Sequence, residues 1–174
     1  MKRVLLALAV PLFLAPLAAS AKPGLLHVTE SIGIAAPASK VWDAVKNYDA
    51  LPSWHPAFAK DEIVKGSNNR TGAVRALTIK DGPTFTEELV SYHPRAHSFT
   101  YKIIESPLPL SAYRSTMSVR PDGASKSVVV WKGTFRRKDA SDSPKQGQDD
   151  KAATDLITGV YKAGLDNLKK MMEK

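Results

Sequence analysis

The sequence predicts an α+β domain: a curved antiparallel sheet of about six or seven strands around one long C-terminal helix, with two short helices after the first strand. Three observations predict it. From Asp149 to Lys174, Ala153, Leu156, Ile157, Val160, Tyr161, Gly164, Leu165, Leu168, Met171 and Met172 recur at three- and four-residue steps, the spacing of one helical face. The middle of the chain alternates apolar and polar residues in short segments separated by turn residues, the period of half-buried strands. The other helical signals lie directly after the first such segment, so helices stand at the two ends of a run of strands.

The chain of 174 residues opens with Lys2-Arg3, an apolar run from Val4 to Leu17, and Ala19-Ser20-Ala21. These are the three parts of a secretory signal peptide, residues 1–21, and cleavage is expected after Ala21. Residues 22–174 then form one domain in the periplasm or outside the cell. The apolar run is shorter than the ~20 residues that span a bilayer and is broken by Pro11 and Pro16, so no membrane span is expected after cleavage. There is no cysteine, so an exported domain of this kind relies on packing alone. The net charge of +8 falls by two when Lys2 and Arg3 are removed. The remaining basic residues are scattered apart from Arg136-Arg137-Lys138, and no nucleic-acid-binding pattern accompanies them. Nucleic acid is therefore not expected as a partner, whereas a solvated basic face and an acidic protein partner both remain open.

Leu26, Val28, Ile32 and Ile34 mark a first strand over residues 25–34, with a phase slip between Glu30 and Gly33 that predicts a bulge. Pro37 opens a short helix that places Val41, Trp42, Val45 and Tyr48 on one face. Leu51-Pro52-Ser53-Trp54-His55-Pro56 is a proline-bounded turn or second short helix, and Ile63-Val64 a brief strand. The next two strands carry Arg75, Leu77 and Ile79, then Phe85, Glu87 and Leu89, joined through Asp81-Gly82-Pro83. Pairing Ile79 with Phe85 makes Arg75 and Glu87 diagonal neighbours on the apolar face. Phe99, Tyr101 and Ile103 alternate in the following strand, and Tyr113, Ser115, Met117 and Val119 in the one after, across a stiff apolar connection, Ser106-Pro107-Leu108-Pro109-Leu110. Val129, Trp131 and Phe135 mark the inner face of the last strand, where Gly133 permits a close approach. Residues 138–148 read as a mobile polar linker. In the final helix, Asp149, Asp150 and Asp155 near the start and Lys169, Lys170 and Lys174 near the end oppose the macrodipole. Gly164 interrupts its apolar stripe at a cost of ~1 kcal/mol relative to Ala, so a strand backbone or a bound molecule is expected in the gap.

Several segments carry the landmarks of a known family. They are Ala36-Pro37-Ala38-Ser39-Lys40-Val41-Trp42, Leu51-Pro52-Ser53-Trp54-His55-Pro56, Val74-Arg75-Ala76-Leu77-Thr78 with Asp81-Gly82, Glu87-Glu88-Leu89, Pro107-Leu108-Pro109 with Tyr113-Arg114-Ser115-Thr116, and Val130-Trp131. With them the chain resembles the START/Bet v 1-like (SRPBCC) superfamily, and within it the polyketide cyclase/dehydrase and lipid-transport branch. As an exported chain without cysteine it is also similar to the periplasmic MxaD-type accessory proteins of bacterial methanol oxidation. The resemblance implies a helix-grip fold with a deep cavity between sheet and C-terminal helix that holds a small hydrophobic or lipid-like ligand. It calls for no cofactor, and it does not imply catalysis, since many relatives only bind.

The candidate ligand-binding residues are Trp54, His55, Arg75, Glu87, Tyr101, Tyr113, Trp131 and Gly164. Arg75 and Glu87 are charges on an apolar strand face, which must be paired or wet. They serve either as a cavity pair that orients a polar ligand head or as a structural pair at the sheet rim. The resemblance implies a cavity entrance at Trp54-His55, where the histidine is either a general acid or base or a hydrogen-bonded turn residue. Tyr101, Tyr113 and Trp131 would line the cavity with their polar tips towards ligand or water, or be plain core. His93 and His97 are separated by Pro94 in a turn, so they do not make a helical metal pair and no metal is expected. The expected function is therefore ligand binding. The alternatives are a cyclase/dehydrase-type reaction in the same cavity, with His55 or Glu87 as candidate catalytic residues, and docking to an acidic periplasmic redox enzyme of methanol dehydrogenase or cytochrome type.

Overall fold

The computed structural model describes residues 23–174, and the expected signal peptide lies outside them. In chain order the elements are β1 (Leu26–Ile34), α1 (Ala38–Val45), a single 3-10 turn at Leu51–Ser53, β2 (Phe58–Lys65), β3 (Val74–Ile79), β4 (Thr84–His93), a second 3-10 turn at Pro94–Ala96, β5 (Ser98–Glu105), β6 (Leu110–Pro121), β7 (Ser127–Arg137) and α2 (Asp150–Met172). The strands form one antiparallel sheet in the order β1-β7-β6-β5-β4-β3-β2. Neighbours in the sheet are neighbours in sequence except at β1, which pairs with β7; the short helices span the connection from one sheet edge to the other. This is the α+β helix-grip architecture.

α2 begins where the Asp149 side chain accepts a hydrogen bond from the Ala152 N–H at 2.7 Å, satisfying one donor of the first turn. Ala153, Ile157, Tyr161, Gly164, Leu165 and Leu168 are buried on its sheet-facing stripe, which packs on β1 and β7. Its far end clamps the edge of the sheet: Lys169 Nζ donates to the Gly33 carbonyl at 2.7 Å, and Glu173 accepts from the Ala35 N–H at 2.8 Å. Leu156 and Met171, expected on the stripe, are 36% and 37% exposed, because the buried stripe is narrower than the apolar one.

Four local expectations are corrected. β1 has no bulge: its register with β7 runs unbroken from Leu26↔Phe135 to Ile34↔Ser127, and Glu30 takes a regular inner-face position opposite Trp131. The slip in hydrophobicity was a polar residue in a regular strand. β2 extends from Phe58 to Lys65 rather than covering two residues, and a register shift between Phe58 and Lys60 turns Asp61 to the inner face opposite Leu77. In the β3–β4 hairpin the register is Leu77↔Phe85 and Arg75↔Glu87, so the two charges are directly opposite rather than diagonal. The turn there starts one residue earlier, with Gly82 N–H bonded to the Ile79 carbonyl and Asp81 at φ +54°. Residues 138–148 are pinned, since Asp139 accepts from the Ser141 and Lys145 N–H groups while Arg137 holds the Asp139 and Ser141 carbonyls.

Candidate functional site

Arg75 and Glu87, each 3% exposed, project from β3 and β4 towards α2. Arg75 Nε and Nη2 both donate to Glu87 Oε2, at 2.9 and 2.6 Å. Nη1 donates to the Tyr48 carbonyl and, at 3.2 Å, to Asp61 Oδ2. Asp61 Oδ2 also accepts from the Leu51 N–H at 3.2 Å. The guanidinium lies 4.1 Å from the Tyr48 ring centroid and 5.3 Å from that of Tyr101, two cation–π contacts that offset part of its lost hydration. Burial opposes the Arg75 charge, but Glu87, Tyr48 and Asp61 raise its pKa. Burial pushes the Glu87 carboxyl up, with Arg75 pulling it back, and pushes Asp61 up to about 6 against the same pull. One guanidinium thus faces two carboxylates in a buried site, and the ladder register together with the β2 bulge puts them there.

Above this cluster lies a cavity of about 60 Å³. Its buried lining sets Arg75, Glu87, Tyr101, Tyr113 and Trp131 among apolar side chains, and the part-exposed apolar set Ile79, Ile103, Leu108, Leu156 and Val160 marks its mouth. The volume is room for about two water molecules, so the deep hollow implied by the resemblance is reduced to a small pocket. Aromatic side chains occupy the remainder. Trp131 stacks on Tyr161 with ring centroids 4.4 Å apart and planes 9° from parallel. Gly133 makes this possible, because a Cβ there would lie 2.3 Å from the Tyr161 hydroxyl.

The phenols are largely satisfied from within. Ser115 Oγ donates its proton to the Lys132 carbonyl at 3.0 Å, so at their 2.8 Å contact the Tyr161 hydroxyl must be the donor to Ser115. Tyr161 having spent its proton, Tyr113 donates to Tyr161, also at 2.8 Å. Trp131 Nε1 donates to the Tyr101 hydroxyl at 2.9 Å and to Ser115 Oγ at 3.0 Å. The tip of Tyr113 is therefore not a donor towards the cavity, contrary to expectation, though its oxygen can still accept. Burial raises the pKa of Tyr101 to about 12 and that of Tyr113 and Tyr161 well above the phenol value, so all three are neutral.

Trp54, His55 and Gly164 form a separate packed cluster. His55 is 1% exposed and does not line the cavity. Its Nδ1 accepts from the Ala57 N–H at 3.2 Å, which leaves the proton on Nε2 to be donated to the Val160 carbonyl at 2.9 Å. Burial lowers its pKa to about 4 despite that hydrogen bond. This geometry matches the hydrogen-bonded turn residue of the two readings, since both ring nitrogens are engaged by backbone groups. Trp54 packs on Trp131 with centroids 5.6 Å apart, its carbonyl accepts from Asn167 Nδ2 at 2.8 Å, and it is buried outside the cavity lining. The gap at Gly164 is filled by neither backbone nor ligand: an added Cβ would lie 2.4 Å from His55 Cδ2 and 3.0 Å from Trp131 Cζ3.

The structure therefore brings together Arg75, Glu87, Tyr101, Tyr113 and Trp131 and sets Trp54, His55 and Gly164 beside them. Sequence reasoning missed Asp61, hidden in the charged run Lys60-Asp61-Glu62, and the Ser115–Tyr161 relay, whose partners are far apart in the chain. No group of three His, Cys, Asp or Glu side chains converges among the described residues as a metal site would. His97 instead stacks on Trp42 at 5.5 Å. On the opposite face of the sheet, His27, Thr29, Arg114, Thr116, Lys132 and Thr134 line an open groove of about 320 Å³.

Comparison with known proteins agrees with this architecture. The profile of the polyketide cyclase/dehydrase and lipid-transport family matches residues 26–173. The chain is 31% identical to the protein XoxI from Bacillus cereus, over 84% of this chain and 94% of that one, with a TM-score of 0.73. It is 29% identical to a Bacillus thuringiensis protein, over 86% of this chain and 100% of that one, with a TM-score of 0.74. The Zhui aromatase/cyclase from Streptomyces sp. R1128 shares the fold at 17% identity, over 86% and 94% of the two chains, with a TM-score of 0.69.

Proposed function

The chain belongs to the polyketide cyclase/dehydrase and lipid-transport family, and on that premise we propose that it is an exported binding protein for a small hydrophobic or lipid-like molecule. One observation carries this reading: an apolar mouth of Ile79, Ile103, Leu108, Leu156 and Val160 leads to a floor that holds the buried Arg75–Glu87 pair. The pocket as it stands admits only the end of a ligand. The apolar remainder lies across the mouth, where burial of each 100 Å² of apolar surface contributes about 2.5 kcal/mol before the costs of association. The 106–109 connection, which carries Leu108, and the first turns of α2, which carry Leu156 and Val160, border the pocket, so the proposed ligand lies against them. The test is native mass spectrometry of protein purified from its own exported fraction, followed by displacement of an environment-sensitive apolar dye. A copurified mass released by organic extraction, and dye binding in competition with it, are expected. Protein that carries no such mass and leaves the dye unbound at near-millimolar concentration overturns the reading.

A second reading, docking to an acidic periplasmic redox protein, is favoured by a different observation. Arg114 and Lys132 flank the groove on the outer face, are exposed and have no ion-pair partner among the described residues, in a chain that stays basic when the charge of +8 falls by two on loss of Lys2 and Arg3. Such a face steers association with an acidic surface and loses its effect as salt rises. Association that weakens several-fold between 50 and 300 mM salt, and that Arg114→Glu with Lys132→Glu abolishes, is the expected behaviour; salt-independent association excludes it.

A further inference from the structure

Which kind of polar group the cavity floor accepts follows from counting donors and acceptors. Arg75 is the obvious anion receptor, yet four of its N–H groups are already committed: Nε and one Nη2 proton to Glu87, and both Nη1 protons to the Tyr48 carbonyl and Asp61. The remaining Nη2 proton belongs to a nitrogen 2.6 Å from Glu87 Oε2, so an anion reaching it would lie against that carboxylate. The charge balance points the same way, since Asp61 and Glu87 together outnumber the single guanidinium. Tyr113 has spent its proton on Tyr161 and presents only lone pairs. Glu87 takes both Arg75 bonds on Oε2 alone, and its Oε1 accepts no hydrogen bond from the described residues although the side chain lines the cavity. The Tyr101 hydroxyl, which accepts from Trp131 Nε1, is itself engaged with the Ser115 and Tyr113 oxygens beside it.

We propose that the cavity selects ligands whose buried end donates hydrogen bonds, an alcohol or an ammonium on an apolar body, and discriminates against carboxylate or phosphate ends. Glu87 Oε1 is the acceptor the ligand meets. Arg75 acts as a positioning residue: it neutralises Glu87 and holds Oε2, leaving Oε1 to the ligand. The inference rests on the binding function proposed above and names its ligand class.

Three probes of equal chain length separate the possibilities: 1-octanol, octylammonium and octanoate, titrated at pH 7.5 into the protein purified from its exported fraction and followed by intrinsic tryptophan fluorescence, to which Trp131 on the cavity lining contributes. The expected ranking puts octanol and octylammonium at least about tenfold tighter than octanoate, the scale of one well-placed charge-assisted hydrogen bond against a like-charge contact. Octanoate binding as tightly as the other two overturns the donor-selective floor while leaving the binding function intact. Failure of all three to bind overturns the binding function itself, and the floor's selectivity with it. In Glu87→Gln the advantage of octylammonium over octanoate is expected to fall about tenfold with octanol little changed. A folded variant that keeps the full advantage removes Glu87 from the role, and if the variant does not fold, the wild-type ranking decides alone.

Discussion

His55, which the sequence singles out for chemistry, is buried with both ring nitrogens bonded to backbone groups. Its folded pKa of about 4 lies below the 6.5 of a free imidazole, so between these values the unfolded chain holds a proton that the folded chain does not. Stability is then lost as pH falls from 6.5 to about 4 and levels off below, a swing of about 3 kcal/mol. Asp61 and Glu87 act in the opposite sense: burial raises their pKa, so their contribution is present at low pH and lost as pH rises through their folded values. The measurement that isolates the imidazole is therefore a difference. Urea unfolding of wild type and His55→Gln at pH 7 and pH 4 is expected to show the wild-type advantage shrinking by about 3 kcal/mol at the lower pH, and a constant advantage contradicts the buried neutral imidazole. Gly164→Ala makes a companion test. Helix propensity favours Ala by ~1 kcal/mol, but the new methyl meets a ring that two backbone groups hold in place, 2.4 Å from Cδ2. A net loss of about 2 kcal/mol in urea denaturation is expected; a gain would mean the His55 ring is free to move.

At the scale of elements, the β3–β4 hairpin and the bulge in β2 build the charged floor. Arg75→Met leaves Asp61 and Glu87 buried without a counter-charge, and a loss of about 3–5 kcal/mol is expected in chemical denaturation at pH 7. Because both carboxylates can then take up protons, that loss should diminish towards pH 4; a loss that is small at pH 7 would place the pair at a wetted rim. The order of the elements and the inner-face residues of β4 to β7 were legible from sequence, because alternation is a local property that each strand carries in its own residues. The register of β3 on β4 was not, because it depends on where the turn starts, and a shift of one residue there changes the pairing by two. Asp61 was hidden for a related reason. A bulge re-phases the residues that follow it, and only the partner strand reveals the new phase. Ala112, at φ +52° in a second such irregularity between Ser111 and Arg114, keeps both Leu110 and Tyr113 facing inward in the same way.

For the whole molecule, the +8 charge and the N-terminal Lys2-Arg3 with its apolar run bear on where the chain works. Export predicts that protein recovered from the periplasmic fraction begins at Lys22, checked by intact mass, and a chain retaining Met1 in the cytoplasm would contradict it. The two faces of the sheet divide the proposed work. The inner face, closed by α2, holds an oily mouth over a charged floor, while the outer face presents Arg114 and Lys132 to solvent.

Periodicity, turn residues and helix-end charges determined from the sequence alone that this chain makes a sheet gripping a terminal helix, since each of these signals is written within a few neighbouring residues. How much space remains inside was decided only by tertiary structure. Cavity volume is what is left after Trp131, Tyr161, Tyr113 and His55 have packed, and their contacts join residues up to 105 positions apart. The same holds for the chemistry of the floor. A sequence shows that Arg75 and Glu87 exist, but which of their hydrogen-bonding atoms are already spent is known only when Asp61 and the Tyr48 carbonyl arrive from another part of the chain.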